Sequence, residues 1–265
     1  MRKTKKRLSI SHLHWGFPPI IGGVETHLTI ILPQMVNLGH RVSLLTGSVE
    51  GVEGRYKYNG VEVFRTPLMD LNWLYKRGLE GLEEEIYSVF ANFIETTKPD
   101  IIHAHNVIAA RLALESELPL IYDDHEYWSK EARHRIRDIA DVYRWIKWSV
   151  WEKIILKKAS AIITVSNEIA REHLKYNSRV FILPNLPMSR EVHGLRKLKT
   201  RRKISIVYIG SISEPQPSYR NIHGFIRLIL RNNIGDLIII GDRKLKTCPP
   251  IYSIGFLEHY TLLKE

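Results

Sequence analysis

Short apolar runs rich in β-branched residues alternate with stretches of helical periodicity, and this alternation constrains the fold more than any other feature of the chain. The runs lie at residues 8–13, 42–46, 61–65, 101–104, 120–123, 161–166 and 180–183. Strands separated by helices imply parallel βαβ units, hence an open sheet covered on both faces: an α/β, Rossmann-like domain. Ligands of such sheets sit beyond the carboxyl ends of the strands, so the residues just after each run are the first candidates for a site.

Two helices are predicted with particular clarity. Over residues 24–38, Leu28, Ile31, Leu32, Met35 and Leu38 recur at three- and four-residue spacing and Gly39 closes the pattern. Pro33 lies inside it and lacks a backbone donor, which predicts a kink or a broken turn. Over residues 141–158, Trp145, Trp148, Trp151 and Ile155 stand among Lys147, Lys153, Lys157 and Lys158. Such a helix can lie on a membrane surface. The expected arrangement is an aromatic face packed on the sheet with the lysines solvated.

Pro184, Asn185 and Pro187, followed by the polar and basic residues 189–203, interrupt the alternation and predict a linker between a first domain at 1–188 and a second at 204–265. Beyond it come strands at 204–209 and 237–240, a helix at 221–230 and a last strand near 252–256. So few elements are short of a doubly wound domain of ordinary size, and the second domain is expected to be incomplete.

Composition narrows the function classes. With 44% hydrophobic residues the chain is not disordered, and no apolar run reaches membrane-spanning length. The basic N-terminus leads only into a short apolar stretch, so no signal peptide is expected. Cys248 is the sole cysteine, which points to a reducing, cytoplasmic setting. The formal charge of +11 suggests an anionic partner: a phosphate-bearing substrate, an acidic lipid surface or nucleic acid. No nucleic-acid-binding motif is present, so nucleic acid is not an expected partner.

After the first strand, His12-Leu13-His14-Trp15-Gly16 leads to Gly22-Gly23-Val24-Glu25 at a helix start. Paired glycines there let the backbone approach an anion, which the helix dipole and unpaired N–H groups favour, although a tight turn without a ligand explains them equally well.

The wider context resembles the family 4 glycosyltransferases. Gly22-Gly23 is followed by Leu38-Gly39-His40-Arg41-Val42, by Lys98-Pro99-Asp100-Ile101-Ile102-His103-Ala104-His105, by Ala161-Ile162-Ile163-Thr164-Val165-Ser166, by a strand ending in Pro184-Asn185, and by Tyr208-Ile209-Gly210. These motifs stand in the family's order and cover nearly the whole chain. The resemblance implies a GT-B-like fold, with a complete N-terminal acceptor domain, a partial C-terminal donor domain, and sugar transfer from a nucleotide-sugar to a glycan, lipid or small-molecule acceptor. It implies a retaining, metal-independent reaction that uses no cofactor, the nucleotide-sugar being a substrate. His125 falls where the family places a histidine on the donor sugar and is the catalytic candidate. Gly22 and Gly23 match the loop that approaches donor phosphate and acceptor. Gly210 and Arg220 fall in the diphosphate-binding segment.

This chain departs from the family pattern in two places. Ser211 follows Gly210 where the family has a cation, and Arg220 stands in place of a lysine. The family's pair of glutamates separated by seven residues is expected beyond Glu265, so the chain reads as a C-terminally truncated glycosyltransferase whose donor site lacks those two residues. The alternative is a non-catalytic glycan- or phosphate-binding remnant. A sugar-nucleotide epimerase of similar shape matches the motifs less well. Charge and the tryptophan-rich helix add peripheral contact with an anionic membrane, at the inner face of a cytoplasmic location.

Asp123, Asp124, His125 and Glu126 invite a metal reading, as does His103-x-His105. Consecutive residues at a strand end point alternately to opposite sides, so all four cannot readily converge on one ion. No metal is therefore expected, and hydrogen-bonded histidines are the expected account of His103 and His105.

Overall fold

The computed structural model describes residues 6–20, 22–49, 52, 54–67, 84–186, 205–210, 222–240 and 251–254. The chain divides into two compact units, Met1–Asn185 and Leu186–Glu265.

The first unit is an α/β sandwich. Its strands are β1 (Ser9–Leu13), β2 (Arg41–Gly47), β3 (Gly54–Tyr58), β4 (Val61–Thr66), β5 (Ile101–Ala104), β6 (Leu120–Asp124), β7 (Ala161–Thr164) and β8 (Val180–Ile182). They form one eight-stranded sheet in the order β3-β4-β2-β1-β5-β6-β7-β8. All neighbours are parallel except β3, which pairs antiparallel with β4. The helices are α1 (Gly23–Asn37), α2 (Glu84–Thr97), α3 (Val107–Ala113), α4 (Trp128–His134), α5 (Ile139–Lys158) and α6 (Asn167–His173). Leu28 and Leu32 of α1 pack with Val42, Leu44, Val61 and Val63 in one cluster, while Ile86, Phe90, Leu112, Trp148 and Ile155 of α2, α3 and α5 pack with Leu13, Ile102 and Tyr122 in another. Burial on both faces is why the central strands read as nearly continuous apolar runs.

Several boundaries differ from the sequence expectation, each for a local reason. Helix α1 runs unbroken through Pro33. The ring forfeits only the bond to the Thr29 carbonyl, and the buried Leu28 and Leu32 hold the turn in place. Its end is a Schellman arrangement: Gly39, at φ 93°, donates to the Val36 carbonyl while His40 donates to that of Met35. Helix α5 starts two residues early because Asp138 accepts from the Asp141 N–H at 2.9 Å. Strand β7 stops at Thr164 because Ser166 caps α6. Strand β3 is an addition, closed onto β4 by Asn59 and Gly60, both at positive φ.

The tryptophans of α5 face inward. Trp148 is buried and meets Trp128 edge-on at 5.5 Å, and Trp128 meets Trp15 at 5.2 Å. The exposed stripe of α5 is instead Ile139, Tyr143, Ile146, Val150 and Ile154, at 36–84% exposure.

Arg65, at the end of β4, is buried and ties the loop after β1 to the sheet. It donates to the carbonyls of Gly47 (2.7 Å), Phe17 and Pro18 and to the Tyr56 hydroxyl (2.9 Å). Among the described residues these partners are all neutral.

The second unit contains β9 (Ser205–Ile209), α7 (Ile222–Asn232), β10 (Asp236–Ile240) and β11 (Ile251–Ile254). Its strands are parallel in the order β11-β10-β9, with Ile229, Leu237 and Ile239 at the core. The expected linker residues 189–203, Ser211, Arg220 and Cys248 lie outside the described residues.

Candidate functional site

The chain order reverses between β1 and β5: β2 leaves β1 on one side and β5 joins it on the other. The carboxyl ends of these strands are where a doubly wound sheet opens a crevice for ligands. Here they carry histidines. The parallel register pairs His12 with His103, so the sequence His12-x-His14 on β1 lies beside His103-x-His105 on β5. Asp123 and His125 arrive from β6 and His27 from α1.

Asp123 is the centre of this group. Its Oδ2 accepts from His103 Nε2 at 3.2 Å and lies 3.3 Å from His105 Nδ1 and 3.9 Å from His27 Nε2, while Oδ1 is 3.4 Å from His125 Nε2. A carboxylate only accepts, so His103 carries its proton on Nε2. Burial pushes the Asp123 carboxyl up, but His103, His105 and His125 outweigh it and hold it well below the usual carboxylate range. His12 Nδ1 and His105 Nε2 are 2.9 Å apart. Burial first, then the neighbouring imidazoles, hold His12 and His105 well below the ordinary histidine value and push His27 down to about 4. These three rings are therefore neutral at pH 7 and offer lone pairs.

The cluster is not internally satisfied. His12 Nε2, His27 Nε2, Asp123 Oδ1 and both ring nitrogens of His125 are buried and without a hydrogen-bond partner among the described residues. Buried polar atoms are nearly always paired, so an unpaired set facing a strand-end crevice marks a place for a ligand. Two triplets place donor atoms within 4.8 Å of one another and could hold a metal: His12, His103 and His105, and His27, Asp123 and His125.

The glycine loop joins this group through Glu25. Asn106 caps α3 with its side-chain oxygen and donates from Nδ2 to His14 Nδ1 at 3.2 Å; His14 Nε2 then donates to Glu25 Oε1 at 3.2 Å. A Cβ on Gly16 or Gly22 would come within 2.1 or 2.2 Å of that carboxylate. A side chain at Gly22 would thus have to displace the Glu25 carboxylate from its place beside His14. Gly23 has open space where a side chain would stand, so its backbone is the part of the pair that faces outward at the start of α1.

On the opposite side of β6 lies a different network. Asp124 accepts from Tyr122 Oη at 2.8 Å and is 2.6 Å from His173 Nε2. Burial raises the Asp124 carboxyl, and burial together with Asp124 pushes the buried Glu152 up to about 8.

The residues singled out from sequence therefore separate. His125 and Gly23 border the histidine cluster, Gly22 supports it from within, and Gly210 ends β9 in the second unit, its N–H donating to the Ile240 carbonyl at 3.0 Å. The alternation argument holds for Asp124, which points away, and for the exposed Glu126. It leaves Asp123 and His125 on the same side. His12, His14, His27 and Glu25 were not anticipated as site residues; the repeated His-x-His at two strand ends was the available signal.

The sequence profile of Glycosyltransferase Family 4 matches residues 21–186. An "Uncharacterized 42.6 kDa protein in cps region" of Klebsiella pneumoniae is 22% identical over 185 residues, covering 60% of this chain and 48% of that protein. The gpi3 subunit of phosphatidylinositol N-acetylglucosaminyltransferase from Schizosaccharomyces pombe is 27% identical over 94 residues, covering 35% of this chain and 20% of that one. The chain thus spans half or less of these curated relatives. Sucrose-phosphate synthase from Thermosynechococcus elongatus superimposes with a TM-score of 0.69 at 12% identity, covering 97% of this chain and 72% of that structure. The fold is α/β and GT-B-like.

Proposed function

The chain belongs to glycosyltransferase family 4, and on that premise we propose that it moves a sugar from a nucleotide-sugar donor to a glycan, lipid-linked or small-molecule acceptor with retention of anomeric configuration. One observation carries the placement of the reaction: His125 follows β6 directly, its side chain is 5% exposed, and neither ring nitrogen has a hydrogen-bond partner among the described residues. A ring in that state can donate to or accept from a sugar hydroxyl as it stands. Gly22 and Gly23 bring backbone N–H groups at the start of α1 toward donor phosphate or acceptor. Gly210 and Arg220 belong to the diphosphate side, where fixed amides and cations, with no metal required, stabilise the departing charge.

Calorimetry with UDP-, GDP- and ADP-sugars, followed by a transfer assay, tests this reading. Saturable binding with turnover is expected, binding without turnover would leave only the non-catalytic remnant, and binding to none would remove the donor reading. His125→Ala is expected to lower transfer efficiency by roughly 1–3 kcal/mol, the cost of one lost hydrogen bond to a buried partner. Unchanged transfer would take His125 out of the site.

Among the described residues no helix is long and apolar enough to cross a membrane. Peripheral contact with an anionic inner leaflet, on the cytoplasmic side, is supported by the exposed apolar stripe Ile139, Tyr143, Ile146, Val150 and Ile154 with Lys147 and Lys153 along its edges. Sedimentation with phosphatidylserine vesicles, but not with phosphatidylcholine vesicles, is expected, and Ile146→Asp with Val150→Asp should abolish it.

A further inference from the structure

The proposed transfer reaction gives His27 no role, yet its ring is buried against Asp123 and His125 with Nε2 unpaired among the described residues. We propose that His27 Nε2, Asp123 Oδ1 and His125 Nε2 form a binding site for one divalent transition-metal ion, zinc being the best match, with the fourth coordination position open. All three of these atoms lack a hydrogen-bond partner among the described residues, and one donor atom from each residue lies within 4.8 Å of the others. Two imidazoles and a carboxylate suit a borderline ion of this kind.

The distances fit with little movement. Donors held about 2.0–2.1 Å from a tetrahedral zinc ion stand about 3.3 Å apart. His125 Nε2 is already 3.4 Å from Asp123 Oδ1. His27 Nε2 stands 3.9 Å from the other carboxylate oxygen, Oδ2, and one donor atom from each of the three residues lies within 4.8 Å of the others, so His27 has to approach Oδ1 by about an ångström, which a side-chain rotation supplies. The rings of His27 and His125 are inclined at 70°, so lone pairs lying in the two ring planes can meet at one point. His103 donates to Asp123 Oδ2 and so aims Oδ1 at the ion, the usual way a protein orients a metal-binding carboxylate.

The neighbouring triplet His12, His103 and His105 is the poorer host. His103 and His105 stack at 19° with centroids 4.4 Å apart, which sends their in-plane lone pairs along parallel paths. Part of its nitrogen set is also engaged, His12 Nδ1 with His105 Nε2 and His103 Nε2 with Asp123, although His12 Nε2 and His105 Nδ1 are unpaired among the described residues. The expectation that no metal binds rested on four consecutive residues failing to converge. Only two of them need converge here, and the third ligand comes from α1. A bound ion would pin α1 to the β6 loop and lock the His125 ring, leaving its Nδ1 for a ligand.

The site shares His125 with the proposed sugar contact, and its test does not use activity. The protein, freed of metal with a chelator, is titrated calorimetrically with zinc and then with cobalt. One equivalent of each is expected, with a visible cobalt spectrum of mixed nitrogen and oxygen ligation. His27→Gln and His125→Gln should each weaken zinc binding by more than the roughly 10–100-fold typical of losing a group that only orients a ligand. His12→Gln should bind as the unaltered protein does. Should a variant lose its circular-dichroism spectrum, imidazole nitrogen NMR of the unaltered protein decides instead, and zinc must shift His27 and His125. Absence of saturable binding overturns the site. Loss in His12→Gln with retention in His27→Gln, or zinc shifts confined to His12, His103 and His105, overturns it as well.

Discussion

Asp123 and Asp124 are consecutive residues at the end of one strand, 1% and 0% exposed, and their surroundings differ in kind. Asp123 faces imidazoles on the crevice side, is held ionised, and keeps one oxygen unpaired among the described residues. Asp124 faces the helix layer, where Tyr122 and His173 close on its two oxygens, and burial presses it toward the protonated form. Strand alternation sends the two side chains to opposite faces, and each face supplies its own dielectric and partners. A buried carboxylate whose atoms are all paired serves the fold. One left with an unpaired atom beside other unpaired atoms is the candidate for a ligand.

The isosteric pair Asp123→Asn and Asp124→Asn separates these roles. Asp123→Asn should have the larger effect, stranding two or more ring N–H groups at about 1–3 kcal/mol each and abolishing transfer and metal binding together. Urea unfolding and donor calorimetry measure the two losses, and a variant as stable and active as the parent would break the contrast. Asp124→Asn should cost only about 1 kcal/mol and leave donor binding intact, because the amide oxygen still accepts from Tyr122 and His173 can present its other tautomer to the amide N–H. A loss of donor binding in this variant would show that the helix side also belongs to the site.

A third contrast, also on the helix side, concerns pH. Glu152 titrates near 4.5 when unfolded and near 8 when folded, so the native state binds its proton more tightly and stability declines as pH rises through that window. Thermal unfolding of the parent protein between about pH 5 and pH 8 should show this decline, and Glu152→Gln should flatten it. An unchanged slope would mean that other groups set the pH response of the helix side.

The fold was largely legible because its signals are local. Apolar runs marked the strands of the first sheet, periodicity marked α1, and Gly39 marked its end through a backbone conformation that only a few residues adopt without cost. Strand β3 was not expected, because Gly54–Tyr58 has no strong apolar pattern and its one local signal is the Asn59-Gly60 turn that closes it onto β4. The tryptophans of α5 pack inward as the periodicity led one to expect, Trp148 buried and Trp145 and Trp151 partly buried against the same core. What burial added is the exposed stripe, which is Ile139, Tyr143, Ile146, Val150 and Ile154.

Sequence alone determined that strands alternate with helices, pointed to the strand ends as the place to look for a site, and offered His125 there as the candidate. Each of those conclusions depends on residues close in the chain or on one repeating unit. Tertiary structure alone decided that His12, His14 and His27 join it, that Gly22 closes on Glu25 while Gly23 stays open, and which nitrogens are left unpaired. Those outcomes depend on the register of β1 against β5 and on the packing of α1 over the sheet. Two imidazoles many residues apart become neighbours only when hydrogen bonding between parallel strands aligns them.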